Sequence, residues 1–315
     1  MKTKFLITGA SGFIGSVLLR RLATAKKYDI HLILRKESNL WRINDLLKTV
    51  TVHYSDLSNL QELKAIFNKA KPNIIYHLAT NGAYSSQSDA NLIIQTNIMG
   101  TWNLLQASSQ IPYDLFVNTG SSSEYGFKNF TMRETDIVEP ASYYAVTKAS
   151  TTMLCAFYAK SSKKNIVTLR PFSVYGPYEE KTRLFPTIFS NIINNKEINL
   201  VSPKTSRDFI YVDDMVDAYL NIDKLSKHQG ETFNIGSGSQ TNLEQLISII
   251  IKITKSTPIL NWGGMKQKSW DSNTWESDIS KARQLLDWEP KNSLEEGVNK
   301  FWLWFKTNKN LYEQI

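Results

Sequence analysis

Short runs that are apolar at successive positions recur through the first half of the chain, separated by longer stretches with helical spacing. Phe5-Leu6-Ile7-Thr8, Ile30-His31-Leu32-Ile33-Leu34, Ile74-Ile75-Tyr76-His77-Leu78, Leu115-Phe116-Val117 and Ile166-Val167-Thr168-Leu169 read as strands. Several are apolar on both faces, as strands must be when helices cover both sides of a parallel sheet. Between the first two runs, Ile14, Val17, Leu18 and Leu22 share one face of a helix over 14–23. Strand and helix patterns alternate, which predicts an α/β fold built on a doubly wound parallel sheet.

After Arg170 the rhythm changes. Pro171, Gly176, Pro177, Pro186 and Pro203 interrupt the pattern, and Asn and Lys become frequent. This predicts a smaller, substrate-binding lobe rather than more sheet. The division is a dinucleotide-binding domain over 1–170, rejoined by 207–235, and a second lobe from 171–206 and 236–315. Phe233-Asn234-Ile235 reads as a returning strand, followed by helices over 243–253 and 294–305. There is no internal repeat and no low-complexity tract.

The turn after the first strand is Gly9-Ala10-Ser11-Gly12-Phe13-Ile14-Gly15. Glycines there permit a tight turn and let backbone approach a pyrophosphate, while the following helix aims unpaired N–H groups at the anion. An ordinary glycine-rich turn gives the same letters, but its position between a strand and an amphipathic helix favours dinucleotide binding. Twenty residues beyond Gly15, an acid would accept hydrogen bonds from a ribose 2′-hydroxyl. Arg35-Lys36 stand there instead, which favours a 2′-phosphate and hence NADP(H), with NAD(H) as the other possibility. Two surface cations at a strand end are the plain alternative.

Composition narrows the field. The 315 residues are 42% hydrophobic and 21% charged, which excludes disorder. The net charge of +8 admits nucleic acid, anionic membranes or phosphorylated small molecules as partners. No basic stripe or RNA-binding motif supports the first, and no run approaches the ~20 apolar residues of a membrane span. The apolar start, Phe5-Leu6-Ile7, is too short for a secretory signal, so a cytoplasmic location is expected. One cysteine, Cys155, excludes an intrachain disulfide. The four histidines are scattered, so no metal is expected. Lys306 to Lys309 reads as a solvated tail.

Tyr144-Ala145-Val146-Thr147-Lys148 places a phenol and an ammonium on one helix face. A free tyrosine titrates near 10, too high for proton exchange at neutrality, and a neighbouring cation lowers that value. Alone, the spacing is commonly just a helix surface. Behind a dinucleotide loop, and preceded by Ser121-Ser122-Ser123, it points to a catalytic Ser/Tyr/Lys set.

With these residues in place the chain resembles the extended short-chain dehydrogenase/reductases of the NAD(P)-dependent epimerase/dehydratase family, which act on nucleotide-diphosphate sugars over a Rossmann sheet. The resemblance rests on Thr8 to Gly15, Asp56-Leu57, His77-Leu78-Ala79, Asn97, Ser121 with Tyr125-Gly126, Tyr144 and Lys148, Leu169 to Phe172, and Arg207 to Asp214. It implies that Gly9, Ser11, Gly12, Phe13, Ile14 and Gly15 hold the cofactor diphosphate, with Arg35 and Lys36 at the ribose. Asp56 and Leu57 would flank the adenine, Leu78 and Ala79 the ribose and diphosphate, and Asn97 would support the site. Ser121 would hydrogen-bond the sugar oxygen and Tyr144 would act there as acid or base. Lys148 would hold the nicotinamide ribose. Ser122, Ser123, Phe172, Ser173, Arg183, Arg207 and Lys268 would meet the substrate. Asp56 reads equally as a helix cap and Asn97 as a satisfied core amide, while Trp270 and Trp275 suit packing as well as ring stacking. Family members often form homodimers, so a homodimer is implied.

Three reactions remain open. A 4,6-dehydratase needs an acid pair just after the catalytic hydroxyl, and Ser122-Ser123-Glu124 lacks it, since Glu124 falls one place late. Arg35-Lys36 favour a consumed NADPH, so the leading expectation is reduction of a nucleotide-linked 4-keto-6-deoxysugar at C4, with similarity to synthases of CDP-dideoxyhexoses. The alternative is a nucleotide-sugar 4-epimerase. A non-catalytic dinucleotide sensor or scaffold is the reading outside enzymes.

Overall fold

The computed structural model describes residues 2–84, 86–266 and 272–313. Among them, seven strands form one parallel sheet: β1 (Lys4–Thr8), β2 (Asp29–Leu34), β3 (Thr51–Tyr54), β4 (Ile74–His77), β5 (Leu115–Thr119), β6 (Ile166–Pro171) and a last strand, Thr232–Ile235. The order across the sheet is β3-β2-β1-β4-β5-β6 and then Thr232–Ile235. The chain starts in the middle, builds outward to β3 and crosses back to start β4. The crevice between β1 and β4 is therefore the point where strand order reverses, the place where open α/β sheets bind ligands.

Alternation along β1 splits the sheet's two cores. Phe5 and Ile7 face Val17, Leu18 and Leu22 of α1 (Phe13–Thr24) and Met215, Val216 and Tyr219 of the helix Val212–Leu220. Leu6 faces the other way, toward Leu63 and Phe67 of α2 (Leu60–Ala70) and toward Cys155 and Ala159 of the long helix Tyr143–Ser162. Each Val, Leu, Ile, Phe or Met among them contributes roughly 1.5–3 kcal/mol on burial. Ala282, Leu286 and Trp288, from far along the chain, also pack into the first of these cores.

The expected strands and the returning strand at Phe233 are present, and the helix over 243–253 runs Leu243–Thr254. β3 escaped the sequence reading. Thr51-Val52-His53-Tyr54 lies at the sheet edge with only His53 buried, so it carries no apolar run. His53 instead bonds His31 ring to ring, Nε2 to Nδ1, at 2.9 Å.

Beyond Pro171 the large sheet gives way to short ladders. Ser173–Tyr175 pairs with Phe209–Tyr211, Ser206–Arg207 with Thr241–Asn242, and Ile198–Leu200 with Leu260–Trp262. A third core fills this region, where Phe185 and Phe189 of the helix Leu184–Ile193 meet Phe301 and Phe305 of the helix Leu294–Asn308.

Candidate active site

The glycine turn has the geometry that a bound diphosphate requires. Gly9 has φ +75°, and a Cβ there would lie 2.4 Å from the Ala79 nitrogen. A Cβ on Gly15 would lie 2.2 Å from the Gly9 carbonyl oxygen. Both positions are thus closed to any side chain, which brings β1, α1 and the loop after β4 into contact. Gly12 is the N-cap of α1, and no side chain caps that end, so the helix's first N–H groups remain available to an anion. These features fit a dinucleotide.

Around the turn, the predicted cofactor residues divide. Leu78 and Ala79 sit against Gly9, with the Leu78 N–H donating to the Thr8 carbonyl at 3.1 Å. Burial acts to raise the Asp56 carboxyl, but hydrogen bonds from Ser58, with a smaller contribution from the charge of Arg35, hold it below the ordinary value. Asp56 Oδ1 accepts from the Ser58 N–H at 2.8 Å, so the acid shapes its own turn. Arg35 Nε is 3.4 Å from a Glu37 carboxylate oxygen, and Lys36 is exposed beside it. Leu57 is buried against Gly100 in the second sheet core. Asn97 is fully engaged within the protein. It accepts from the Asn81 N–H at 2.8 Å and from Thr80, and donates to the Asn81 carbonyl and to Thr147 Oγ1. It thereby fastens the loop after β4 to the long helix.

Ser121, Tyr144 and Lys148 come together. The long helix starts at Tyr143 because Ser142 caps it, its hydroxyl accepting from the Ala145 N–H at 3.1 Å. One turn in, Lys148 Nζ donates to the Thr119 carbonyl at 2.8 Å and stands 5.9 Å from the centre of the Tyr144 ring. Burial pushes the Lys148 ammonium down to about 8, opposed by the negative charge of Glu124. Burial also raises the Tyr144 phenol, while a hydrogen bond with Ser121 and the charge of Arg183 pull it back.

Glu124 explains why Ser121 sits where it does. Its side chain is wholly buried; Oε1 accepts from the Ser121 N–H at 2.7 Å and from Thr152 Oγ1 at 3.1 Å. Oε2 is held by Arg170 through Nε at 3.2 Å and a terminal nitrogen at 2.7 Å. Gly120 permits this approach, since a Cβ there would lie 2.6 Å from Oε1. The Ser121 hydroxyl in turn accepts from the Ser123 N–H, completing a capping box on a single 3₁₀ turn. Sequence reasoning missed this role for Glu124. The Ser-x-x-Glu spacing was the available signal; Arg170, 46 residues on, left none.

The residues expected on the substrate side come from both halves of the chain. Ser122 is buried, and its hydroxyl accepts from the Trp275 indole N–H at 3.3 Å. Trp275 packs with Tyr125, Met132 and Phe172, and the Arg207 guanidinium lies 5.3 Å from its ring centre. It is therefore both core and platform. Asp208 fixes the Arg207 turn, accepting from Ser237 and Ser277 through backbone and hydroxyl. Ser173 opens its short strand next to Phe172, and Ser123 is half-buried beside Ser122. Arg183 reaches across to the loop after β4, donating to the Ala83 carbonyl at 3.1 Å over the Tyr84 ring. Lys268 and Trp270 lie outside the described residues.

Two further groups had no sequence signal. Arg42 is buried and donates to the Tyr178 carbonyl at 2.7 Å and to Glu180 at 3.1 Å, tying the segment after β2 to the second lobe. Beside it, burial pushes the Glu179 carboxyl up to about 8, and its Oε2 finds no hydrogen-bond partner among the described residues.

Residues 5–236 match the NAD dependent epimerase/dehydratase family. The chain belongs to that family. It is an enzyme of the extended short-chain dehydrogenase/reductase type, as the motifs implied. It is 32% identical to the "Uncharacterized UDP-glucose epimerase YtcB" of Bacillus subtilis, across 94% of this chain and 95% of that protein. It is 30% identical to the UDP-glucuronate 4-epimerase of Thermodesulfobacterium geofontis, across 99% and 98%. The crystal structure of UDP-glucuronic acid 4-epimerase from Bacillus cereus, in complex with UDP-glucuronic acid and NAD, superimposes with a TM-score of 0.85. That pair is 28% identical, with 97% of this chain and 99% of the other covered. These relatives support nucleotide-sugar epimerase or dehydratase chemistry, so the alternative, epimerisation, fits better than 4-keto reduction, and the solved relative holds NAD where Arg35-Lys36 had favoured NADP. Arg35 lies 3.4 Å from a Glu37 carboxylate oxygen, so an acid of its own segment stands beside its charge.

Proposed function

We propose that this epimerase inverts C4 of a UDP-linked hexuronate, using NAD that is regenerated within each turnover. The observation that carries the reading is the locking of Glu124 into Arg170. It leaves Tyr144 as the proton-transfer group beside Ser121 and withholds Glu124 from the elimination a dehydratase performs.

Bound NAD would supply the hydride acceptor and donor for the sugar C4. Ser121 hydrogen-bonds the C4 oxygen and Tyr144 takes its proton, then returns it after the keto sugar has presented its other face. Lys148 holds positive charge near the phenol and orients the ribose from its anchor on Thr119. Arg207 meets the diphosphate from its place on Trp275. Arg183, whose charge bears on Tyr144, suits a carboxylate on the sugar. That feature favours a uronate over a neutral hexose.

A homodimer belongs to this reading. Leu92 and Met99 beside the long helix, and Val146, Met153 and Phe157 along it, are exposed apolar side chains, with Phe157 at 70%. Such a contiguous face suits a second copy of the chain. A cytoplasmic compartment also belongs to it, compatible with the single buried thiol of Cys155. Among the described residues, no helix is long and apolar enough to cross a membrane.

The test is to offer UDP-glucuronate and UDP-glucose separately and follow the C4 proton by NMR. The reading expects a 4-epimer from the uronate at the higher kcat/KM, with that preference lost in Arg183→Met. Equal use of both sugars by the parent enzyme contradicts the role of Arg183.

A further inference from the structure

Arg42, on the segment between β2 and β3, has a side chain almost wholly excluded from water. Three nitrogens of its guanidinium point to three places. Nε donates to the Tyr178 carbonyl at 2.7 Å, Nη2 donates to a Glu180 carboxylate oxygen at 3.1 Å, and Nη1 lies 3.5 Å from the Ser11 carbonyl oxygen. Ser11 belongs to the glycine turn after β1, while Tyr178 and Glu180 belong to the turn that leads into Arg183. One rigid, planar group thus touches both turns at once.

The second of these turns is strained. Tyr178 has φ +70°, a conformation that few residues with a side chain hold. Such a residue persists only where its surroundings fix it. The Arg20 guanidinium lies 4.4 Å from the centre of the Tyr178 ring, the Trp304 ring packs on it at 4.8 Å, and Arg42 takes its carbonyl. Arg20 also donates to the Arg42 carbonyl at 2.6 Å, so the two arginines form one clamp. Further along the turn, the Arg183 N–H donates to the Glu180 carbonyl at 2.9 Å. The position of Glu180 therefore carries to the residue that caps the helix Leu184–Ile193 and reaches the Ala83 carbonyl.

We propose that Arg42 is a positioning residue that couples the two binding sites, so that an occupied dinucleotide turn holds Arg183 in place for the sugar. The inference rests on the proposed function, in which the glycine turn holds NAD and Arg183 meets the sugar. When the glycine turn is ordered by its ligand, Ser11 fixes one arm of the guanidinium and the other two arms fix the strained turn. When the glycine turn is free to move, Tyr178 relaxes toward an ordinary conformation and Arg183 shifts with it. Binding of either ligand favours the state that binds the other, and the two effects are equal in size.

The experiment is calorimetric titration of UDP-glucuronate and UDP-glucose into the full chain, first stripped of nucleotide and then saturated with NADH. NADH cannot oxidise the sugar, so no turnover disturbs the equilibrium. In the parent, UDP-glucuronate is expected to bind about tenfold more tightly with NADH present, which is ~1.4 kcal/mol of coupling. Arg42→Met should bring that ratio close to one. Glu180→Gln, which takes the charge from one arm of the clamp, should lower the ratio in the same direction and decides the matter if Arg42→Met does not fold. A role in stability alone would lower both affinities alike and leave the ratio standing. A ratio near one in the parent, or a ratio that survives the substitutions in folded protein, overturns the proposal. Equal affinity of the parent for the two UDP sugars contradicts the uronate reading instead, and the coupling is then judged on UDP-glucose by the same ratios.

Discussion

The carboxylate of Glu124 and the guanidinium of Arg170 meet at 2.7 Å in a site from which both side chains are almost wholly excluded from water. The pair joins the turn after β5 to β6. Its remaining carboxylate oxygen holds the Ser121 N–H, so the Ser121 hydroxyl, proposed to meet the sugar oxygen, is positioned by charge from beneath.

Removing one partner leaves a buried charge alone. Glu124→Gln is expected to destabilise the fold by about 3–5 kcal/mol and to lower kcat through displacement of Ser121. Glu124→Gln combined with Arg170→Met should recover much of the stability without recovering turnover. Urea unfolding and steady-state kinetics on the three variants check this. Full activity in a folded Glu124→Gln enzyme contradicts a positioning role.

Tyr144→Phe keeps the ring and loses only the hydroxyl. Turnover should fall by roughly 10²–10⁴, with affinity for NAD and for the UDP sugar retained in equilibrium titrations. Lys148→Met should instead weaken NAD binding together with turnover, because its ammonium both orients the ribose and holds charge near the phenol. Matching losses of NAD affinity in the two variants contradict that division of labour.

The Glu179 carboxyl, with an ordinary value of 4.5, is pushed up to about 8 by burial. Between those values the folded protein keeps a proton that the unfolded chain has released. The stability this contributes is complete below about 4.5 and is lost as pH rises through about 8. Glu179→Gln does not ionise, so its melting temperature should gain on the parent's steadily from pH 5 to pH 8. A gap that stays constant across that window contradicts the assignment.

Phe157, Met153 and Val146 place an exposed apolar stripe on the long helix. Sedimentation should show a dimer for the parent and a monomer for Phe157→Glu, with the helix content unchanged. A monomeric parent contradicts the proposed homodimer.

How much of this was readable in advance depended on the reach of each interaction. Gly9, Gly12 and Gly15 were legible because a turn, a close approach and a helix start are local demands. Tyr144 and Lys148 were legible because one helical turn relates them. β3 was not, since an edge strand shields little and needs no apolar run. Arg170 and Arg42 carry their meaning in partners 46 and 138 residues distant, which no spacing announces. Arg35 suggested a 2′-phosphate by its charge alone; the Glu37 carboxylate beside it shows how a strand-end cation can be met within its own segment.

The central claim, that hydride leaves and returns to C4 within one turnover, is tested most directly with UDP-glucuronate carrying deuterium at C4. The account predicts a 4-epimer that retains the deuterium at C4, with no net change in NAD. A 4-keto or reduced product formed with stoichiometric use of NAD(P)H, or an epimer that has lost its label to solvent, would contradict it.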